Sequence, residues 1–433
     1  MKVVKFGGSS LADSSQFKKV KEIVEADKDR RYVVVSAPGK GKNNDHKVTD
    51  LLYMCYQLAS HGLNFDEVYG IIKDIYKAIC EELELTVNID DILDIVHEDI
   101  RSGASRDYTA SRGEFINGIL MADFLGFKFV DAKELIVFDG DTLDAIKTED
   151  TIKEKLADIE YAVIPGFYGA NAEGEIVTFS RGGSDVTGSL ISNGVVADLY
   201  ENWTDVSGFL MADPKIVKGA KTIEKITYKE LRELSYMGAP VLHEESIFPV
   251  KKHGIPINIK NTNNPEDAGT LIINGEDKES EHPITGIAGK KDFSVISIEK
   301  TLMNSELDFF RKLISVFETN DIPIEHMPSS IDSISVIVPT IAIAHKLSKV
   351  IEEIKIYCKP NSIVSQSNMA LLAVVGRGMV RTKGVSGRIF TALAKSGVNI
   401  RMISQGSSEM NIIIGIENED FESAIKAIYD EFN

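Results

Sequence analysis

Short apolar runs separated by helix-length stretches constrain this chain more than any other feature. Val33–Val35, Ala162–Ile164, Val195–Tyr200 and Ile255–Ile259 each have the length and β-branched content of a buried strand. Val3, Val4 and Phe6 form another at the start. Between them the apolar residues fall at helical spacing. Phe17, Val20, Ile23 and Val24 make one face, Leu51 opens a second helix, and Phe65, Val68, Ile72, Ile75, Ile79 and Leu83 make a third. Strands joined through helices run parallel, so this pattern predicts a largely parallel sheet covered on both sides. Ligands of such sheets bind at the carboxyl ends of the strands.

The polar segment Asn274–Pro283 contains almost nothing apolar and reads as a linker. It divides a domain of residues 1–273 from a region of residues 284–433 in which the pattern changes. Strand Phe293–Glu299, helix Ser305–Glu318, strands Ile322–Met327 and Ser333–Val338, helix Ala342–Ile354 and strand Ile363–Gln366 describe one βαββαβ unit, about residues 290–367. Strand Ala370–Val375, helix Val385–Lys395, strands Ile400–Gln405 and Asn411–Ile416 and helix Phe421–Phe432 describe a second, about residues 368–433. This second unit lacks a strand. Ile284–Ala288 is expected to supply it, leaving the first unit as an insertion in an internal repeat.

Composition narrows the function. A net charge of −18 argues against nucleic acid as the main partner, since phosphate backbones need a basic face. No basic-then-apolar leader and no bilayer-length apolar stretch is apparent, so a cytoplasmic location is expected. Cys55, Cys80 and Cys358 have no metal or disulfide spacing and read as reduced thiols. His243-Glu244 lacks the second histidine of a zinc-protease helix, and Gly376-Arg-Gly378 lacks the third glycine of a dinucleotide fingerprint.

Five segments carry chemistry. Lys5-Phe-Gly7-Gly8-Ser9-Ser10 places two glycines and a lysine at the end of the first strand. Backbone N–H groups in such a turn can cradle phosphate, although a plain turn has the same composition. Ser36 and Val48-Thr49-Asp50 flank a polar loop, and read equally as a strand end and a helix cap. Ser111-Arg112-Gly113-Glu114 could be a capped helix start with a solvated glutamate. Ser180-Arg181-Gly182-Gly183-Ser184-Asp185 is a second glycine turn entering a helix, which suits an anion. Asn202-Trp203-Thr204-Asp205-Val206-Ser207-Gly208, followed by Ala212-Asp213-Pro214-Lys215, could be a turn after a strand. Taken together they form an inventory: a phosphate cradle, an arginine able to clamp a carboxylate and a glutamate able to meet an ammonium. Such a set points to phosphoryl transfer or adenylation of an amino acid.

These segments resemble the aspartate kinase signatures of the amino acid kinase family, and Ile403-Ser-Gln-Gly-Ser-Ser-Glu409 resembles the second of the tandem ACT domains found there. The likeness covers the whole chain in order and is to the monofunctional form, without a homoserine dehydrogenase. It implies an α/β amino acid kinase fold, a largely parallel central sheet between helix layers, followed by two ferredoxin-like βαββαβ ACT domains. It implies transfer of the ATP γ-phosphoryl group to the side chain of L-aspartate, giving 4-phospho-L-aspartate, the entry to lysine, threonine and methionine, with Mg2+ bridging the β- and γ-phosphates. Carried over residue by residue, Lys5 and Asp185 are catalytic. Gly7, Gly8, Ser9, Gly182, Gly183 and Ser184 surround the phosphates, and Thr204, Asp205, Leu210 and Lys215 belong to the nucleotide site. Ser36, Thr49, Glu114 and Arg181 hold aspartate.

Three positions depart from the pattern: Leu210 where tyrosine is frequent, Lys215 where arginine is frequent, and Pro240 where lysine is frequent. They imply a variant nucleotide pocket. The ACT region implies control by an end-product amino acid, lysine or threonine, with Met303, Glu325, Ser330 and Asp332 as candidate contacts. It also implies a homodimer or homotetramer formed through the ACT domains. A kinase for another acidic amino acid such as glutamate, and a silent amino-acid sensor, are the alternative readings.

Overall fold

The computed structural model describes residues 1–41, 45–180, 182–239, 249–275 and 282–433. Two compact units emerge. The first comprises Met1–Phe209, Thr222–Tyr228 and Val241–Glu276, and the second Leu210–Lys221, Lys229–Pro240 and Asp277–Asn433. The division is not a single cut at the polar segment, of which residues 276–281 lie outside the described residues. Two excursions join the second unit because hydrogen bonds tie them there: Lys229–Pro240 through Glu230, which accepts from the Arg377 N–H at 2.8 Å, and Leu210–Lys221 through two bonds. The Ile287 N–H donates to the Met211 carbonyl at 2.7 Å, and the Lys221 N–H donates to the Tyr429 hydroxyl at 2.9 Å.

The first unit holds an eight-stranded sheet built from β1 (Lys2–Phe6), β2 (Arg30–Val35), β3 (Lys128–Phe129), β4 (Ala162–Pro165), β5 (Leu199–Thr204), β6 (Lys225–Thr227), β7 (Ile257–Asn261) and β8 (Thr270–Ile273). Their order across the sheet is β6-β8-β7-β5-β1-β2-β4-β3. Every neighbouring pair is parallel except β7 with β8. Strands β5, β1, β2 and β4 are therefore side by side, and their carboxyl ends meet along one edge. One face packs Phe6, Val33 and Trp203 on Phe17, Val20, Leu52, Tyr76 and Ile116. Burying each such large apolar side chain contributes about 2–3 kcal/mol before chain entropy is charged. The other face receives the helix Gly183–Gly194, where the missing Cβ of Gly188 leaves room for the Tyr200 ring.

One strand differs from expectation. Residues 195–198 close the Gly183–Gly194 helix instead of opening a strand: Ala197 N–H donates back to the Ser192 carbonyl at 2.9 Å and Val196 takes φ 50°. The expected buried strand is shortened: a helix C-terminal turn has taken the first half of the run, where Val196 is exposed, and β5 begins at Leu199.

The second unit contains one five-stranded antiparallel sheet with β9 (Gly286–Glu299), β10 (Ser333–Pro339), β11 (Ser362–Val375), β12 (Met402–Ser404) and β13 (Asn411–Glu417), in the order β10-β9-β11-β13-β12. Two 14-residue strands, β9 and β11, run through both halves of the repeat. Gly286–Lys290 pairs with Leu371–Val375, and Phe293–Glu299 pairs with residues 362–369 across two register shifts. Helices Phe309–Thr319 and Leu347–Cys358 bury Phe309, Leu313, Val350 and Ile354 with Ile296, Ile298 and Val336. The expected strand Ile322–Met327 is reduced to isolated bridges, including His326 with Ile337. Pro323 and Pro328 lack the N–H that a longer ladder would need. No helix among the described residues is long and apolar enough to cross a membrane.

Candidate active site

Parallel pairing in register sets Lys5 beside Asn202. Both side chains point to the face that carries the Gly183–Gly194 helix, whose first turn presents Asp185. The Lys5 ammonium lies 2.6 Å from Asp185 Oδ1 and donates to Asn202 Oδ1 at 3.5 Å, while Asn202 Nδ2 donates to the same Asp185 oxygen at 2.8 Å. Lys5 is 7 % exposed and Asn202 2 %. A lysine this buried needs a paired charge, and Asp185 supplies it. Asn202 then fixes the carboxylate that fixes the lysine. Its role could have been anticipated from one signal, a polar residue between Tyr200 and Trp203 in an otherwise buried strand.

The loops at the four strand ends touch through backbone. Gly7 N–H donates to the Trp203 carbonyl at 3.0 Å, and Gly39 N–H donates to the Gly8 carbonyl at 2.8 Å. A Cβ on Gly8 would stand 2.9 Å from the Ala37 carbonyl oxygen, and one on Gly39 would stand 2.7 Å from the Gly8 carbonyl carbon. Neither contact is tolerable, so the two glycines are what allow the Gly7–Ser9 loop and the loop after Ser36 to approach each other. Ser9 at the rim is exposed, while Gly183 and Ser184 are buried at the helix start. Gly182 has φ 58°, a conformation that favours glycine. Arg181 lies outside the described residues.

The segment Ser111–Glu114 is not a helix start. Its helix runs Arg106–Leu125 and begins with Ser105, which accepts from the Tyr108 N–H. Glu114 is thus in the helix interior, and it is 5 % exposed rather than solvated. One carboxyl oxygen takes the Ala37 N–H, and Oε2 has no partner among the described residues. Burial pushes its carboxyl up to about 8 from an ordinary 4.5, with the Ala37 N–H and the Arg112 charge opposing. Ser36 and Thr49 are half-buried, just after β2 and in the first turn of helix Val48–Ser60. Thr204 is half-buried and donates to the exposed Asp205 at 3.1 Å. Leu210, half-buried, and Lys215, exposed, belong to the second unit. Pro240 and His243-Glu244 lie outside the described residues.

The chain can now be placed among known proteins. The amino acid kinase family model matches residues 1–261, and an ACT domain model matches residues 372–432. Aspartokinase 3 of Bacillus subtilis is 37% identical over 449 residues, covering 100% of this chain and 98% of that protein. The chain belongs to the aspartate kinases of the amino acid kinase family. The crystal structure of Clostridium acetobutylicum aspartate kinase, described as an allosteric enzyme, superposes with a TM-score of 0.94 at 57% identity, with both chains covered 100%. Escherichia coli aspartokinase III, solved with aspartate and ADP, shares the fold at a TM-score of 0.71 and 23% identity, with 100% of this chain and 99% of that one covered. This aspartate kinase carries an ACT region after its amino acid kinase domain in the sequence.

The candidate effector residues do not form one cluster. Met303 is 0 % exposed in the apolar core of the second unit. Asp332 is exposed, and its Oδ1 accepts from Leu302 N–H at 2.9 Å, one residue from Met303. Ser330 is exposed at the same turn, with its N–H donating to Ser333. Glu325 sits beside Ile337, further along β10, and takes a hydrogen bond from the Tyr236 hydroxyl. The three cysteines are buried and unpaired, and burial pushes the thiols of Cys55 and Cys80 up to about 12 and about 11. That suits core thiols rather than nucleophiles.

Proposed function

We propose that the enzyme transfers the γ-phosphoryl group of ATP to the side-chain carboxylate of L-aspartate, with Lys5 on the transferring group. The observation that carries this is the Lys5–Asp185–Asn202 arrangement at the carboxyl ends of β1 and β5. An ammonium has three donors. Asp185 and Asn202 orient two of them, and the third is directed to a phosphate oxygen. A side-chain carboxylate is already ionised at neutral pH and needs no general base. Its oxygen attacks the γ-phosphorus while the bond to the β-phosphate oxygen breaks, and ADP leaves with the electron pair. The enzyme's contribution is alignment and neutralisation of charge.

Aspartate is held by Arg181 at its α-carboxylate and by Glu114 at its ammonium, with Thr49 and Ser36 completing the site. Gly7, Gly8, Ser9 and the Gly182–Ser184 turn face the phosphates. Thr204, Asp205, Leu210 and Lys215 belong to the nucleotide side. Among the described residues no group of three His, Cys, Asp or Glu side chains could hold a metal ion. Mg2+ carried on the nucleotide would neutralise phosphate charge. The ACT region binds an end-product amino acid, lysine in the first instance and threonine as the alternative, and shifts the kinase between two arrangements. Assembly of two or four copies through this region completes the reading, along with a place in lysine, threonine and methionine synthesis.

A coupled ADP-release assay with aspartate, glutamate and N-acetylglutamate tests the reaction. Turnover with aspartate alone is expected, and preference for glutamate would overturn the substrate assignment. Titrating lysine and threonine into the same assay, with light scattering to read the mass, tests the effector and the assembly.

A further inference from the structure

Asn117 stands one turn beyond Glu114 on the Arg106–Leu125 helix, the spacing that puts two side chains on the same face. It is 0 % exposed. Its Nδ2 donates to the Ser36 carbonyl at 2.7 Å. Glu114 meanwhile accepts from the Ala37 N–H. The Ser36 carbonyl and the Ala37 N–H belong to one peptide bond. Two side chains of one helix therefore grip a single peptide group, one at its acceptor and the other at its donor. The helix reaches it because Gly113 has no side chain: a Cβ there would stand 2.7 Å from the Ala37 Cβ.

The grip costs stability. Asn117 Oδ1 and Glu114 Oε2 are both buried without a partner among the described residues. An unpaired buried acceptor is destabilising, so a purely structural contact at this position would be better made by an apolar residue. The peptide held in this way begins the loop that touches Gly8, and its first residue is Ser36.

We infer that Asn117 is a positioning residue for aspartate, acting through the Ser36–Ala37 peptide to set Ser36 at the substrate while Glu114 secures the other end. This deepens the aspartate site proposed above and rests on the assignment of Ser36 and Glu114 to it. Asn117 touches neither substrate in this scheme. Its loss leaves Lys5, Asp185 and the phosphate turns in place, so the aspartate requirement changes and the ATP requirement does not.

The test uses the full-length enzyme with Asn117→Leu, which keeps the volume, and Asn117→Ser, which keeps polarity but is too short to reach. Steady-state kinetics should give an aspartate KM raised about tenfold or more, with the KM for ATP and kcat held within about twofold. Ser36→Ala provides the second axis. In a double-mutant cycle the Asn117 effect should shrink markedly in the Ser36→Ala background, because both act through one contact. An unchanged aspartate KM in either folded variant overturns the inference, as does full additivity with Ser36→Ala. Parallel loss of kcat and of both KM values overturns it too, since that is what general loosening of the helix would do. If Ser36→Ala itself leaves the aspartate KM unchanged, the placement of Ser36 has failed instead, and the two failures are thereby told apart. Thermal melts establish folding, and the Ser variant keeps the test alive should the Leu variant not fold.

Discussion

With Glu114 in the proposed role at the aspartate ammonium, the aspartate requirement should depend on pH in a way that can be worked out beforehand. Its carboxyl is pushed up to about 8 by burial. Binding an ammonium requires the carboxylate form. At pH 7 about nine in ten free enzyme molecules then carry a neutral Glu114, and each must release a proton before aspartate is held. The apparent aspartate KM should exceed its limiting value by roughly 100-fold at pH 6, about tenfold at pH 7 and less than about twofold at pH 8.5. A log plot should fall with a slope near minus one and bend near pH 8. The ammonium of free aspartate stays protonated through this range, so the bend belongs to the enzyme. Steady-state assays at saturating ATP give the profile. Calorimetric titration of aspartate in buffers of different ionisation enthalpy should show close to one proton released per site at pH 7. Glu114→Gln should flatten the profile while raising KM throughout. The same shift has a stability consequence with a definite sign. Because the folded value lies above the unfolded one, the contribution is fully present below about pH 4.5 and is lost as pH rises through about 8, by up to roughly 5 kcal/mol. A flat aspartate KM from pH 6 to 8.5, with no proton release, would refute the reasoning.

Other substitutions separate the remaining roles. Lys5→Ala should mainly lower kcat, whereas Arg181→Ala should mainly raise the aspartate KM; equal loss of both parameters in both variants would contradict the division. Asn202→Ala removes the hydrogen bond that steadies Asp185 and should lower kcat about tenfold or more with the aspartate KM little changed, an outcome that stopped-flow or steady-state rates read directly. In the second unit Glu230 is 0 % exposed and accepts from the Arg377 side chain, the Arg377 N–H and the Thr285 hydroxyl at 2.8, 2.8 and 2.7 Å. Removing Glu230 breaks a buried ion pair and two further hydrogen bonds at once, so Glu230→Ala should destabilise this unit by about 3 kcal/mol. Scanning calorimetry should show its transition lowered by several degrees, and a change under about 1 °C would count against the pair's importance.

The sequence by itself determined the class of fold and named the candidate residues of the site. Period-two and period-3.6 patterns are local properties, so helices such as Val385–Lys395 and Phe421–Phe432 were legible to the residue. The glycine turns and the Lys5, Glu114 and Asp185 positions were legible because the motifs containing them are contiguous. Tertiary structure decided what these residues do to one another. Asn202 acquires its partner from the parallel register of β1 on β5, a pairing across 197 residues. Asn117 and Glu114 grip one peptide because a helix is allowed close at Gly113, and the elevated carboxyl of Glu114 follows from the burial that results. The repeat was readable in outline, yet its two halves share one sheet through β9 and β11, with Pro323 and Pro328 trimming the strand expected at Ile322–Met327. Local pattern sets which elements form. Register, burial and shared partners are long-range quantities, and only the folded chain specifies them.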